Sequence, residues 1–278
     1  MSFSGSTATD APVNAGERSQ HSTRSGFRGR RVDPAKLRSI PLFAQLAINH
    51  LNELADLSFQ SRLEPRSLFI EENEKCDTLH AILEGTAELF SSYYGQETVI
   101  DIVQPGAVLL LASVIGGRPQ AAAARTLSRA RIIAVPASAI CQLFDRDRAF
   151  AHAVATELSR TVCGMVEELR NLKTRTSLER VADWLLEADA QSGGSGHFKL
   201  PFGKHKLASR LGMTAESMSR SLRSLADHGV LVRGRDVTIT DRAALVSRTE
   251  AGGLVQRENA GRQGGTKPTG WAGSSTQP

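Results

Sequence analysis

Between Asp147 and Lys173 the apolar positions Ala151, Ala155, Leu158, Val162, Met165, Leu169 and Leu172 recur at alternating steps of four and three, a seam sustained over three heptads. This period predicts one long helix that pairs with an identical helix in a parallel coiled coil. Upstream the period changes. Segments around Ser67 to Glu71, Thr78 to Leu83, Ala87 to Ser92, Thr98 to Val103 and Arg131 to Val135 are short and apolar or alternating, with turn residues such as Glu84-Gly85, Tyr94-Gly95 and Pro105-Gly106 between them. Short strands at near-regular intervals predict a small barrel or sandwich-like roll, a shape that can enclose a ligand. Before the strands, the pattern from Asp33 to Leu57, with Pro34 at a first-turn position and a break at Pro41, predicts short helices.

Downstream of the seam, Thr174 to Ser177 reads as a hinge and Leu178 to Ala190 as a helix. A Gly-rich turn then leads to a strand, HFKLP. The segment from Lys204 to Leu222, KHKLASRLGMTAESMSRSL, reads as two short helices around a turn at Gly212. Leu207, Leu211, Met218 and Leu222 fall at helical spacing for an inward face, and Ala208 is small enough for the helices to cross closely. Thr214 is placed to cap the second helix, with Glu216 in its first turn, where a negative charge suits the helix dipole. Glu216, Ser219 and Arg220 are left at i, i+3 and i+4, one outward patch. Val230 to Val232 and Val237 to Thr240, joined by Arg233-Gly234-Arg235-Asp236, complete a hairpin wing.

A Gly-turned helix pair occurs in many small helical domains, so charge is needed to read it further. Residues 192 to 250 carry ten Lys or Arg against five acidic residues, whereas residues 34 to 145 carry nine against twelve. A local basic excess is expected where one domain faces phosphates. Lys204, Lys206, Arg223, Arg233 and Arg235, with Thr214, are the candidate contacts to the DNA backbone.

The 278 residues divide into a roll over 34–145, a dimerisation helix over 146–174 and a winged helix-turn-helix over 175–250. Residues 1–31 and 251–278, rich in Ser, Gly, Thr or Gln, read as disordered tails, and Arg28, Arg30 and Arg31 as a solvated basic group. No apolar run approaches the roughly 20 residues needed to span a bilayer, and the N-terminus lacks the apolar stretch of a signal peptide, which implies a cytoplasmic protein. The three cysteines, Cys76, Cys141 and Cys163, are widely separated and odd in number, and read as reduced. No Gly-rich phosphate loop, His-Glu-x-x-His or nucleophile elbow is present, which argues against an enzyme with an appended DNA-binding domain.

The order of roll, long helix and winged helix-turn-helix resembles the Crp/Fnr superfamily of bacterial transcription regulators over roughly residues 34 to 247. The passage NEKCDTLHAILEGTAEL, from Asn73 to Leu89, looks like the family's strand-turn-strand ending in Glu-Gly. The segment TAESMSR is similar to the Fnr and FixK branch, whose members carry Glu-x-x-Ser-Arg there. The resemblance implies an α+β fold: an N-terminal β-roll of cyclic-nucleotide-binding type, a long dimerisation helix and a C-terminal winged helix-turn-helix. It implies that Arg220 contacts a guanine, Glu216 a cytosine amino group and Ser219 a thymine, pairings whose hydrogen-bond chemistry is sound. It further implies a homodimer on a TTGAT-like palindrome with half-site centres roughly 10 to 10.5 base pairs apart, RNA polymerase as a partner, and activation as the commoner outcome.

Against the branch that binds cyclic nucleotides, a gap-free alignment of PGAVLLLASVIGGRPQAAAARTL puts Leu111 where the family has a ribose-binding glutamate and Ala121 where it has a phosphate-binding arginine. Arg118 and Arg125 read as surface residues, and cyclic AMP is disfavoured. The iron-sulfur branch needs closely spaced N-terminal cysteines, and residues 1 to 75 contain none. Haem-dependent sensors and regulators that need no diffusible ligand both remain open. The haem ligands to consider are Cys76, His80, His152, Cys163 and, more weakly, Met165. The rival reading is a cyclic-nucleotide- or haem-responsive module whose helix-turn-helix is not its main output.

Overall fold

The computed structural model describes residues 30–249. The expected tails, Arg28 included, lie outside the described residues, except for the two that open the description. Arg30–Arg31 (β1) is not tail but a short strand, paired antiparallel with Gln60 and Phe59. Pro34–Arg38 (α1) follows, capped by Asp33, whose Oδ1 accepts from the Ala35 N–H at 3.0 Å. A 3₁₀ turn at Pro41–Phe43 and the helix Ile48–Leu57 (α2) complete this N-terminal cover.

The strands of the roll are Phe59–Leu63 (β2), Leu68–Ile70 (β3), Thr78–Glu84 (β4), Ala87–Tyr93 (β5), Gln96–Val103 (β6) and Val108–Leu109 (β7), then, after the helix Leu111–Gly116 (α3), Ala123–Thr126 (β8) and Ala130–Pro136 (β9). They form two sheets, ordered β1-β2-β9-β4-β7 and β3-β8-β5-β6. The alternating pattern marks β3, β4, β5, β6 and β9 in the sequence. It misses β2, β7 and β8, because FQSRL and AART carry too little apolar alternation to stand out before the sheets form around them. At the β4–β5 corner Gly85 has φ +79°, and a Cβ there would strike the backbone at Arg129 and Ala130. Only glycine serves at that turn.

Ala137–Arg146 (α4) leads into the 27-residue helix Arg148–Thr174 (α5), whose start is capped by Asp147 accepting from the Phe150 N–H at 3.0 Å. The first turns of α5 bury Phe150 and Val154 against the roll, with Phe150 stacked on Phe43 at 6.1 Å between ring centroids. Leu158, expected as a seam residue, is half-buried against this same core. Beyond it the seam residues Val162, Met165, Leu169 and Leu172 are exposed.

The reading head comprises Ser177–Gln191 (α6), His197–Lys199 (β10), Lys204–Arg210 (α7), Ala215–Ala226 (α8), Val230–Arg233 (β11), Asp236–Ile239 (β12) and Arg242–Ser247 (α9). Thr176 and Glu179 form a reciprocal capping box at the start of α6. Strands β10, β12 and β11 make the wing sheet in that order. Val181, Leu185, Leu207, Ala208, Met218, Leu225, Val230 and Val237 are buried in its common core. The architecture is therefore α+β: a two-sheet roll, a long helix and a helix-turn-helix with a small wing sheet.

Candidate DNA-reading surface

Helix α8 is amphipathic. Met218, Ser221 and Leu225 are buried, while Glu216, Ser219 and Arg220 are exposed on the opposite side. Thr214 caps the helix as its sequence predicts, its Oγ1 accepting from the Ser217 N–H at 3.2 Å. The Glu216 carboxyl is held below the usual carboxylate range by its own backbone N–H, by the Thr214 hydroxyl and by the nearby Arg220. It is therefore an acceptor, the state needed to take a hydrogen bond from a base amino group. Among the described residues Arg220 Nη2 donates only to the Ser217 hydroxyl, at 3.4 Å, so its guanidinium remains presented.

The turn before α8 is built from behind. Arg180 of α6 donates through Nε to Leu211 O at 3.0 Å, through Nη2 to Gly212 O at 3.4 Å, and through Nη1 to Arg175 O at 2.7 Å. One guanidinium thus ties the link after α5 to the turn of the helix pair. Arg175 is itself paired with Asp183. Asp189, fully buried, accepts from the Gly196 N–H at 2.8 Å and pairs with Arg242, fixing the approach to β10. None of these residues stands out in the sequence, where an Arg or Asp on a helix looks like solvated surface.

The basic candidates divide. Lys204, Arg223 and Arg233 carry no partner among the described side-chain bonds and ion pairs, and Arg223 and Arg233 are exposed. Arg235 uses its Nε to hold Leu200 O at 2.8 Å. Lys206, unlike Lys204, Arg223 and Arg233, has a partner within the protein. Its ammonium lies 2.5 and 2.6 Å from the two carboxylate oxygens of Glu88, a residue of β5 in the roll. The ammonium is engaged with that carboxylate, since a buried anion needs a cation beside it.

In the roll, Leu111 is buried and Ala121 is exposed; neither carries a charge or a hydrogen-bonding side chain. Arg125, the arginine nearest that segment's end, is committed to Glu88 at 2.5 Å and to Glu97 at 2.9 and 2.5 Å, and lies over the Phe90 ring at 4.2 Å. Arg118 is exposed. A cleft of about 860 Å³ opens on the roll, its lining including Lys36, Arg62, His80, Gln120 and Arg131. Gln120 Oε1 and Arg131 Nε are buried there without a hydrogen-bond partner among the described residues. Burial lowers the His80 pKa to about 4, so the imidazole is neutral. It meets Phe69 edge-on at 5.6 Å. Cys76 is half-buried, and burial pushes its thiol up, away from the thiolate form a metal prefers. His152 and Cys163 lie exposed along α5. No group of three or more His, Cys, Asp or Glu able to hold a metal ion occurs among the described residues.

Two family models match the chain in the order that the fold shows: a cyclic nucleotide-binding domain over residues 60–147 and a Crp-like helix-turn-helix domain over residues 179–248. This pairing, a cyclic nucleotide-binding domain followed by a Crp-like helix-turn-helix, is that of the Crp/Fnr family of transcription regulators. Members of this family are DNA-binding regulators and not enzymes. The cyclic AMP receptor protein of Thermus thermophilus is 28% identical over 218 residues, covering 78% of this chain and 99% of its own. A regulatory protein of Silicibacter pomeroyi DSS-3 is 26% identical, with TM-score 0.54, over 78% of this chain and 98% of its own. FixK2 of Bradyrhizobium japonicum has the same fold, with TM-score 0.63 at 20% identity, over 70% of this chain and 98% of its own. Among the described residues no helix is long and apolar enough to cross a membrane.

Proposed function

We propose that this Crp/Fnr regulator acts in the cytoplasm as a homodimer that reads a TTGAT-like palindrome and activates transcription through RNA polymerase, without requiring cyclic AMP. The observation that carries the base-reading part is the exposed trio Glu216, Ser219 and Arg220 on a helix whose other face is locked into the core. Arg220 reads guanine through its two acceptors, Glu216 takes a hydrogen bond from cytosine, and Ser219 contacts thymine. Lys204, Arg223, Arg233 and the Thr214 end of α8 then lie against the backbone and set the register.

Dimerisation rests on the far half of α5. Val162, Met165, Val166 and Leu169 are 58, 62, 61 and 52% exposed, a concentration of apolar surface at heptad spacing that a second copy of the helix covers. Two-fold symmetry in the protein then calls for a palindrome in the DNA.

Independence from cyclic AMP is supported by Leu111, Ala121 and the committed guanidinium of Arg125. The alternative, a ligand-responsive module, is favoured by the polar cleft beside His80 and by the likeness to the Thermus cyclic AMP receptor protein. Fluorescence anisotropy of the purified protein on a TTGAT-N4-ATCAA duplex and on a scrambled one, at two salt concentrations, tests the main reading. Selective binding without added ligand is expected. Equal, steeply salt-dependent binding to both duplexes refutes the half-site, and heat taken up or released on titration with cyclic AMP favours the alternative.

A further inference from the structure

The two halves of the chain meet at a polar interface that the sequence does not announce. Helix α7, the first of the helix pair, packs on β6, the outer strand of the sheet β3-β8-β5-β6. Three residues of α7 at i, i+3 and i+4 supply the contact. Lys206 lies on Glu88, and Ser209 Oγ accepts from the Val99 N–H at 2.9 Å. Arg210 reaches Asp101 of β6 at 2.9 Å and Glu168 of α5 at 2.5 Å. Ile102 and Leu127 of the roll close the interface by packing on the apolar core of the reading head.

The charges are complementary. The roll presents Glu88, Glu97 and Asp101 against its own Arg125, and α7 brings two cations to the excess. Glu88 is fully buried, held between Arg125 and Lys206. Removing one of its two cations while the carboxylate stays buried is strongly disfavoured, so Glu88 favours the docked position of Lys206. The reading trio stays exposed in this arrangement. Docking through α7 therefore leaves α8 free, and because Ala208 and Met218 pack the two helices together, fixing α7 fixes the direction in which α8 points.

We propose that Lys206 and Arg210 are positioning residues for DNA recognition: they clamp the reading head to the Glu88–Asp101 face of the roll and so set the pose of α8, instead of binding phosphate. The inference rests on the DNA-binding reading above only for its second readout. A dimer on a palindrome needs both recognition helices at a fixed separation, and a loosened head spends most of its time in poses that do not fit.

The test compares wild type, Lys206→Met, Lys206→Arg and Arg210→Met as full-length proteins. Exchange of the Val99 amide is followed by NMR without DNA, and affinity for the palindrome by anisotropy. Val99 lies on an edge strand, so its protection reports docking directly. Lys206→Met and Arg210→Met should speed Val99 exchange with the circular-dichroism spectrum unchanged, and should weaken binding about tenfold, as a fall of the competent fraction to about a tenth requires. Lys206→Arg, which keeps the charge, should restore both. Unchanged Val99 exchange in Lys206→Met overturns the proposal, whatever the DNA result. So does faster exchange with undiminished affinity. If wild type does not prefer the palindrome, the half-site reading fails, and Val99 exchange alone then decides for or against the clamp.

Discussion

Leu172 Cδ2 lies 2.8 Å from the point where a Cβ on Gly212 would stand. The last residue of the α5 seam thus touches the turn between α7 and α8, so the dimer helix and the reading head meet at that turn. Gly212 also has φ +61°, in the left-handed region. Gly212→Ala combines backbone strain of about 1 to 2 kcal/mol with a clash. The expected outcome is a lower melting temperature for the reading head and weaker DNA binding. A variant as stable as wild type would mean that neither the left-handed backbone nor the contact with Leu172 carries a cost.

Arg220→Ala tests the reading face. Among the described residues the guanidinium makes no bond shorter than its 3.4 Å contact with Ser217, so its loss should leave stability unchanged. It should cost about 1 to 3 kcal/mol on the matched duplex and relax selectivity at the guanine. The check is anisotropy against duplexes substituted at that one base pair, where equal discrimination by mutant and wild type would refute base reading by this residue.

Met165→Glu places a charge in the exposed apolar stretch of α5. If that stretch is the dimer seam, sedimentation should show monomer where wild type is dimer, and affinity for the palindrome should drop by about a hundredfold or more as the second half-site contact is lost. The residue is 62% exposed within one protomer, so the fold itself should be indifferent to the change. An unchanged dimer would place the interface elsewhere.

His80 gives stability a dependence on pH. Its folded pKa, about 4, lies below the ordinary histidine value, so between those two values the unfolded chain binds the proton that the folded one refuses. The contribution is fully present above about pH 6.5 and is lost as pH falls to about 4, a change of about 3 kcal/mol. The lowered carboxyls of Glu97, Asp147 and Glu179 act in a more acidic window. His80→Phe should flatten the urea-unfolding midpoint between pH 6.5 and 4.5. Persistence of the slope would assign it to another group.

Much of the molecule is legible in the order of its residues. The heptad from Ala151 to Leu172, the apolar run TLHAILE of β4, the Gly212 turn, the Thr214 cap and the exposed trio on α8 are all local. Each depends on residues within a turn or two, and periodicity suffices to find them. Strands β2, β7 and β8 are less legible, since their short, polar or alanine-rich segments become strand only because β9, β4 and β5 offer them partners.

Local pattern alone settles the long helix, the helix pair around Gly212, the face of α8 turned outward and the family that their order resembles. The use of each charge is settled by long-range contacts. Lys206 and Arg223 are alike in sequence, both basic residues on a helix of the reading head, yet one is drawn to a buried carboxylate 118 residues away and the other is left exposed. Leu158 and Val162 both sit on the heptad, yet the roll covers the first and leaves the second open. Helical periodicity follows from local geometry, whereas the partner of a charge or of an apolar side chain depends on which distant surface the fold brings within a few ångströms.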